Sequence, residues 1–207
     1  CGVWIGFPRP DTGDPGRGLL VGGDHSAYFL SWNANKRSVA LALEKPEGRE
    51  LLLRMLPRYD VFVENFGPGV LEKLGLEYEA MRAVHPAIIH ARIKGFGGGG
   101  PYASYKCFDM VAQAASGAFS VTGEPAGPPM CPGPTLADSG TGVQAALAIT
   151  AAYVQRLRTG EGQQIEIAMQ EAMTFYMRTR IANGSEWGTR TVPRTGNGEG
   201  PMLNLYP

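Results

Sequence analysis

The stretch DVFVENFGPGVLEKLGLEYEAMRAVHPAIIHARIKGFG, residues 60–97, decides the fold that we expect for this chain. Its first seven residues are rich in β-branched and aromatic side chains, which is typical of a strand. Two short helical segments follow, one closed by Gly75 and the other ended by Pro86. The apolar run at residues 87–97 predicts a second strand. Strands and helices that alternate at this spacing predict parallel βαβ units with right-handed crossovers.

The residues before this stretch extend the same alternation. Ser38–Leu43 is a short apolar run that predicts a buried strand. Residues 45–59 carry leucines at helical spacing behind Pro46, which suits a first helical turn. Residues 1–35 are rich in turn-forming Pro, Gly and Asp. The chain is therefore predicted to be an α/β protein with a layered sheet.

The alternation changes after residue 100. Residues 108–119 favour a helix, whereas five prolines within Glu124–Pro134 exclude regular structure there. Val143–Leu157 is a strongly apolar run that predicts a buried helix. A strand over residues 163–169 and a helix over residues 170–182 complete the predicted pattern.

Composition favours a globular protein and excludes several classes of partner. Hydrophobic residues make up 43% of the 207 residues, and nineteen basic residues balance nineteen acidic ones. This balance gives no electrostatic case for a nucleic-acid or membrane-surface partner. No apolar run approaches the roughly 18 residues of a membrane span. Cys1, Cys107 and Cys131 are widely spaced and predict no metal site, so we expect a cytoplasmic protein without bound metal.

Gly95, Gly97 and Gly100 form a G-x-G-x-x-G pattern at the end of a predicted strand. A dinucleotide-binding loop needs its last glycine to open a helix, because the helix N-terminus holds the pyrophosphate. Here Pro101 and further loop-forming residues follow instead. We therefore interpret the glycines as a loop at the carboxyl edge of the sheet, where ligands of α/β proteins bind.

Asp138 lies in LADSGTG, immediately before the long apolar helix that the pattern predicts. An aspartate in that place is ordinarily a helix N-cap. A second interpretation uses the same physics, because the helix dipole and free N–H groups keep a nearby carboxylate ionised. The flanking glycines leave space for an acyl group, so the carboxylate can act as a nucleophile. Position alone leaves both interpretations open.

Six segments together resemble the class III CoA-transferases: NANKRSVAL, KPEGRELL, DVFVENFGPGVLEKLGL, IKGFGGGGPY, LADSGTG and RTGEGQQIEIAMQEAM. They follow the family's order, and the similarity runs from about Ser31 to Pro207. The resemblance implies a Rossmann-like parallel sheet with flanking helices and an interlocked homodimer. It also implies that the chain is a fragment. Residues 1–182 would be part of the large CoA-binding domain without its first strand, and residues 183–207 would begin the linker to a second, smaller domain.

The resemblance also implies a reaction. The aspartate matching Asp138 attacks the carbonyl of an acyl-CoA thioester and forms a mixed anhydride. The released CoA then forms an aspartyl-CoA thioester, and an acceptor carboxylate reverses the sequence. The partners are therefore an acyl-CoA and a small carboxylic acid. CoA is a substrate, and no tightly bound cofactor is expected. Glycines around Asp138 are expected to supply N–H donors to the oxyanions.

Further residues of the site are carried over from the family motifs. Asp109 matches an acid near the reacting centre and is a possible assisting acid, although a carboxylate at a helix start is as readily structural. Lys73 and Lys106 offer charge to CoA phosphates, against the alternative of solvated surface lysines. The residues assigned to CoA binding are Leu41, Ala42, Leu43, Glu44, Asn65, Phe66, Gly67, Lys73, Lys106, Cys107 and Phe108.

Two other functions stay open. The same fold family includes α-methylacyl-CoA racemases, which need a histidine on the segment matching Lys106–Asp109; here that segment reads KCFD. The histidines of this chain are His25, His85 and His90. The second alternative is an inactive acyl-CoA-binding homologue, which would most easily have lost Asp138. The acid pair is left open among oxalate, succinate, other small dicarboxylates and carnitine derivatives, because it depends on loops such as Glu124–Pro134.

Overall fold

A computed structural model describes residues 4–6, 10, 13–18, 26–185, 188 and 192–198. Its strands are Trp4–Gly6 (β1), Lys36–Ser38 (β2), Val61–Glu64 (β3), Ile89–Lys94 (β4) and Gln164–Ala168 (β5). β3, β4 and β5 form a parallel sheet in that spatial order, in which Val61 lies opposite Ile89 and Ile93 opposite Ile167. β1 and β2 form a separate parallel pair. The parallel α/β arrangement predicted from residues 60–97 is therefore confirmed.

Helices connect these strands and flank the sheet. They are Ala27–Asn33 (α1), Pro46–Met55 (α2), Val70–Leu74 (α3), Tyr78–Val84 (α4), Asp109–Ala115 (α5), Ala118–Val121 (α6), Leu136–Thr159 (α7), Met169–Tyr176 (α8) and Arg178–Gly184 (α9). Pro46 is the first residue of α2, where its missing N–H has no helical partner to lose. Gly75 ends α3 in the left-handed conformation that favours glycine, with φ of 63°. Both helix boundaries agree with the sequence prediction.

Two hydrophobic clusters hold the layers together. The first joins α2, β3, α3 and α4, and its members include Leu52, Leu56, Phe62, Leu71, Leu76, Met81 and Ile88. The second joins α5, α6, α7 and α8, through Ala112, Ala118, Ala137, Met169, Met173 and Met177. Small alanines in the second cluster let these helices approach one another closely. Ala137 of the second cluster directly precedes Asp138 in the chain.

The strand predicted over Ser38–Leu43 is wrong in its bounds, because β2 ends at Ser38. The chain turns instead, with the N–H of Lys45 donating to the carbonyl of Ala42 at 2.9 Å. Leu41 and Leu43 still point into the first cluster and are buried. Burial of alternate apolar residues therefore produced a strand-like pattern in a segment that turns to enter α2.

The long helix also departs from prediction in two respects. α7 begins at Leu136, so Asp138 lies inside its first turn and not before it. The helix is not buried all round: Val143 and Leu147 are 69% and 71% exposed, while the buried face consists of small residues such as Ala145 and Ala152. The sheet and α8 cover only one side of α7, and apolar composition alone does not show which side is covered.

Two predicted helices are each divided in the structure. The segment at residues 108–119 breaks at Gly117, whose φ is 89°, and residues 170–182 break between α8 and α9 at Met177. The Pro-rich segment Glu124–Pro134 has no helix or strand, as expected. Most of the predicted linker, residues 183–207, lies outside the described residues, as do His25 and Cys1.

His90, the second residue of β4, is a buried histidine without a hydrogen-bond partner on either ring nitrogen. Its ring lies 5.6 Å from the ring of Phe62 and 6.2 Å from that of Tyr78, measured between centroids. Burial lowers the pKa of His90 to about 4, with smaller contributions from the positive charges of Arg92 and Lys94. His90 is therefore a neutral residue of the protein core.

This burial predicts a pH-dependent stability. The folded pKa lies below the ordinary value of 6.5, so the unfolded chain binds more protons between pH 6.5 and about 4. The free energy of unfolding should therefore fall as the pH drops through this window, by roughly 3 kcal/mol at most. Urea unfolding of the protein and of its His90→Leu variant, measured across this range, isolates the contribution. Equal pH slopes for the two proteins would contradict the prediction.

Candidate active site

Asp138 is the third residue of α7 and lies within the first turn of the longest helix that the structure describes. Its carboxylate accepts no hydrogen bond from any described residue. The residue is exposed in this chain, yet its carboxyl group is close enough to neighbouring atoms to lose part of its hydration. The N-cap interpretation of Asp138 is therefore wrong, since Thr135 occupies the cap position.

Asp109 supplies the cap that Asp138 does not. Its Oδ1 accepts the backbone N–H groups of Ala137 and of Asp138, each at 3.0 Å. These groups belong to the first turn of α7 and have no partner within the helix. Asp109 is also the first residue of α5. A single carboxylate thus opens α5, caps α7 and lies beside the candidate nucleophile.

Gln113 is a site residue that the sequence did not reveal. It is fully buried on α5, and its Nε2 donates to Asp109 Oδ2 at 2.6 Å and to the carbonyl of Pro134 at 3.2 Å. The available signal was the i,i+4 spacing of Asp109 and Gln113 on a helix. That spacing is too common to identify a site without the tertiary contacts.

The charges around Asp138 raise its basicity. Its pKa lies above the ordinary value, first because of burial and second because of the Asp109 carboxylate. Burial, followed by Asp138 and Asp109, also raises the pKa of the Cys107 thiol. The N–H groups that were expected to stabilise the ionised Asp138 are instead bonded to Asp109. Cys107 is a protonated thiol beside two carboxylates.

The glycines of LADSGTG have a packing role. Gly140 and Gly142 lie inside α7, where backbone N–H groups bond to the preceding turn. Their N–H groups are therefore not free to bind an oxyanion, contrary to the expectation from the sequence. A Cβ atom at Gly140 would lie 2.5 Å from Cε2 of Tyr176 on α8. The Tyr176 hydroxyl also donates to the Gly140 carbonyl at 3.3 Å. Glycine at position 140 therefore permits α8 to pack against the turn that carries Asp138.

The Gly-rich loop after β4 lines a pocket of about 340 Å³. The segment from Gly97 to Tyr105 forms turns, and α5 begins only at Asp109, which agrees with the sequence argument against a dinucleotide loop. Glu166 and Glu171 line the pocket, and Glu166 Oε1 accepts the N–H of Gly98 at 3.1 Å. Two carboxylates make this pocket unsuitable for the phosphates of CoA or for a free acid.

The segment Asn65–Gly67 lies just beyond the carboxyl end of β3 and is held by Glu64, which is 5% exposed. Glu64 Oε2 accepts the N–H of Phe66 at 2.7 Å, and Glu64 Oε1 accepts Lys94 Nζ at 2.9 Å and Arg92 Nε at 3.1 Å. Lys94 also donates to the Phe66 carbonyl at 3.0 Å. This buried ion network fixes the backbone of the predicted CoA-binding segment.

The predicted site residues fall into two groups in the structure. Leu41, Leu43 and Phe66 meet in the first hydrophobic cluster, whereas Glu44 and Lys73 are exposed. Cys107, Asp109 and Asp138 form the second group, next to Lys106 and Phe108, of which Phe108 is 78% exposed. The remaining members of the first group are Ala42, Asn65 and Gly67.

No group of three or more His, Cys, Asp or Glu side chains within residues 26–185 or the other described segments could hold a metal ion. None of the helices in these ranges is long and apolar enough to cross a membrane. His85 bonds through Nε2 to the carbonyl of Tyr59 at 3.1 Å. The side chains and carbonyl that His85 and His90 contact belong to Tyr59, Phe62 and Tyr78, none of which is a member of the second group of site residues.

The sequence of this chain matches a known protein family over nearly its whole length. The sequence profile described as CoA-transferase family III matches residues 5–207, and the chain belongs to this family. The formyl-CoA:oxalate CoA-transferase of Streptomyces avermitilis is 41% identical over 217 residues, which cover 96% of this chain and 53% of the relative. That of Rhodopseudomonas palustris is 41% identical over 221 residues, with 96% and 52% covered.

Solved structures agree with this assignment. A CaiB/BaiF family protein from Brucella suis superposes with a TM-score of 0.86 at 36% identity, covering 93% of this chain and 52% of that one. A Mycobacterium tuberculosis protein described as hypothetical gives a TM-score of 0.80 at 30% identity, with 87% and 50% covered. The chain thus spans about half the length of the relatives it matches.

Proposed function

We propose that this chain carries the nucleophile of an enzyme that moves CoA from an acyl-CoA thioester to a free carboxylic acid, and that Asp138 is this nucleophile. The observation that carries the proposal is the Asp138 carboxylate, which accepts no hydrogen bond from the described residues and has a raised pKa. Such a carboxylate is a stronger nucleophile, once ionised, than one held by a helix N-terminus.

The reaction balances in four steps. An Asp138 oxygen attacks the thioester carbonyl, the C–S bond breaks, and a mixed anhydride and CoA thiolate result. The thiolate attacks the Asp138 carbonyl of the anhydride, which releases the donor acid and leaves an aspartyl-CoA thioester. The acceptor carboxylate attacks this thioester and expels the thiolate again. The thiolate then attacks the acceptor's acyl carbonyl, so that a new acyl-CoA leaves and the Asp138 carboxylate is restored.

The substrate pair follows from the relatives. Because both curated relatives described above are named formyl-CoA:oxalate CoA-transferases, we take formyl-CoA as donor and oxalate as acceptor. The neutral Cys107 thiol beside Asp138 adds no further negative charge against an anionic acceptor. CoA is a substrate in this scheme, with no tightly bound cofactor. No structural observation favours the racemase, and an inactive homologue would fail the test below.

The remaining site residues are proposed in the roles that the family implies. Strand ends and the loop at Asn65–Gly67 present backbone groups to CoA, and Lys73 and Lys106 approach its phosphates as charged donors. Residues 1–182 belong to the large domain, and residues 183–207 lead toward a second one. The complete protein is proposed to be an interlocked, cytoplasmic homodimer. Val143, Leu147 and Leu157 form an exposed apolar face on α7, and a second copy of the chain or the rest of the protein would bury it.

Chemical trapping tests the covalent step. The full-length protein is incubated with formyl-CoA, quenched with hydroxylamine and digested. Hydroxylamine attacks anhydrides and thioesters, so a hydroxamate should form at Asp138 and be located by mass spectrometry. A matched sample without formyl-CoA controls for background modification. Modification at another residue, or none while exchange proceeds, would refute the proposal.

A further inference from the structure

The first turn of α7 leaves no backbone N–H group for the Asp138 side chain. Asp109 takes the N–H groups of Ala137 and Asp138, and the carbonyls of Pro134 and Thr135 take those of the residues on either side. An aspartate in the first turn of a helix is otherwise well placed to accept such groups itself. The Asp109 carboxylate therefore decides whether Asp138 stays free.

Gln113 decides where the Asp109 carboxylate lies. The two oxygens of Asp109 have different partners. Oδ1 accepts backbone N–H groups of α7, and Oδ2 accepts the Gln113 amide Nε2–H at 2.6 Å. The second bond of Gln113, to the Pro134 carbonyl at 3.2 Å, ties the same amide to the segment that leads into α7. Both partners are acceptors, so the amide nitrogen must face them.

The amide of Gln113 is an expensive group to bury. Gln113 is fully buried, and its Oε1 has no hydrogen-bond partner in the described structure. An apolar side chain of similar size would fill this place without the desolvation cost of an unpaired oxygen. The buried Gln113 amide, with its oxygen unpaired, is therefore better explained by the Asp109 carboxylate that its nitrogen holds than by a contribution to packing.

We propose that Gln113 is a positioning residue for the transfer reaction: by holding the Asp109 carboxylate across the N-terminus of α7, it keeps the Asp138 carboxylate free of hydrogen bonds to its own helix. This inference rests on the proposed function. Asp109 accordingly acts as the cap of α7 and not as a group that touches the substrate.

The titratable groups facing Asp138 come from three places in the described structure. Asp109 opens α5, the Cys107 thiol precedes it, and the Tyr176 phenol on α8 bonds to Gly140 beside Asp138. Only Asp109 is a second carboxylic acid. Its charge is thus the one that acts on Asp138 in the acidic part of a pH profile.

The test is Gln113→Leu in the full-length protein. Without Gln113 the Asp109 carboxylate should leave the N-terminus of α7, and the Asp138 carboxylate should accept the N–H groups in its place. The kcat for exchange between formyl-CoA and oxalate should therefore fall about ten- to a hundredfold. The KM for formyl-CoA should stay within about twofold, because Gln113 touches no substrate. The acidic limb of the kcat profile should move to lower pH, since these N–H groups stabilise the ionised form.

Gln144→Leu is the matched control. Gln144 lies on α7, is half-buried and donates to the Ala172 carbonyl at 3.2 Å, away from Asp109. Its loss should leave the acidic limb in place. An unchanged limb for Gln113→Leu would overturn the inference, whether kcat falls or not. Hydroxylamine trapping at Asp138 in the parent protein tests the proposed function separately.

A second variant covers the case in which Gln113→Leu does not fold. Asp109→Asn keeps the shape of the cap but removes its charge and places an N–H₂ group against the Gln113 amide nitrogen. The acidic limb should again move to lower pH. In the Asp109→Asn background, Gln113→Asn should cost far less activity than it does alone, because the two residues act through one contact. An unmoved limb, or full additivity of the two substitutions, would overturn the inference.

Discussion

Asp138→Asn in the full-length protein should lower kcat for CoA exchange by at least about a thousandfold, because the amide cannot form the anhydride that links donor and acceptor. Its size and shape match the carboxyl group, so the loss cannot be attributed to a gap in packing. The measurement is the exchange of CoA between formyl-CoA and oxalate at saturating concentrations. Glu79→Gln, an exposed carboxylate-to-amide change on α4, is the matched control and should leave kcat unchanged.

The same variant should be no less stable than the parent, and this distinguishes loss of chemistry from loss of structure. The pKa of Asp138 is higher in the folded protein than its ordinary value. Its contribution to stability is therefore present at low pH and is lost as the pH rises through the folded pKa. At neutral pH, the neutral amide should relieve the repulsion from Asp109, and thermal unfolding should shift upward or stay in place. Retention of most activity would exclude Asp138 as the nucleophile.

Glu64→Leu should be strongly destabilising, with a loss of about 3–5 kcal/mol in the free energy of unfolding. Removal of this buried carboxylate leaves the Lys94 ammonium without its anionic partner, whereas Arg92 keeps Glu72 at 3.0 Å. It also frees the Phe66 N–H, which should loosen the segment Asn65–Gly67 and raise the KM for formyl-CoA. Urea unfolding and steady-state kinetics measure the two effects.

Two further variants make this prediction specific. Glu79→Leu removes an exposed ion-pair partner of Arg82 at 3.9 Å and should change stability by less than about 1 kcal/mol. Lys94→Met combined with Glu64→Leu should recover part of the lost stability, since both ends of the pair are then apolar. A loss for Glu64→Leu no larger than that for Glu79→Leu would show that the network does not support the segment.

The elements that depend on local pattern were predictable from the sequence. The period of the apolar residues identified β3, α3, α4 and β4, and helix-ending residues such as Gly75 placed their bounds. Asp138 was singled out because an acid among small residues before an apolar run is visible in one line of sequence. The strand predicted over Ser38–Leu43 was wrong because that prediction also relied on a local pattern. Alternate burial of apolar residues in a turn gives the same pattern as a strand.

The environment of Asp138 was not predictable, because it depends on residues that are distant in the chain. The Asp109 oxygen meets the N–H of Ala137 across 28 residues, and Lys94 meets Glu64 across 30. No local period encodes such pairs. The same limit applies to α7, whose apolar composition predicted burial but whose neighbours cover only one face.

By itself the sequence determined the parallel α/β class, the alternation of strands and helices from β3 to β4, the membership of the family and the identity of the candidate nucleophile, whereas β1 and α1 lie in a segment that it showed only as turn-rich. Each of these depends on residue types and their spacing along the chain. Only the tertiary structure decided that Asp109 caps α7, that Gln113 bonds to Asp109, that Asp138 is free of hydrogen bonds, and that burial and the Asp109 charge raise its pKa. The physical reason is that hydrogen bonds and burial act between atoms in space, and folding chooses the neighbours that spacing along the chain leaves open.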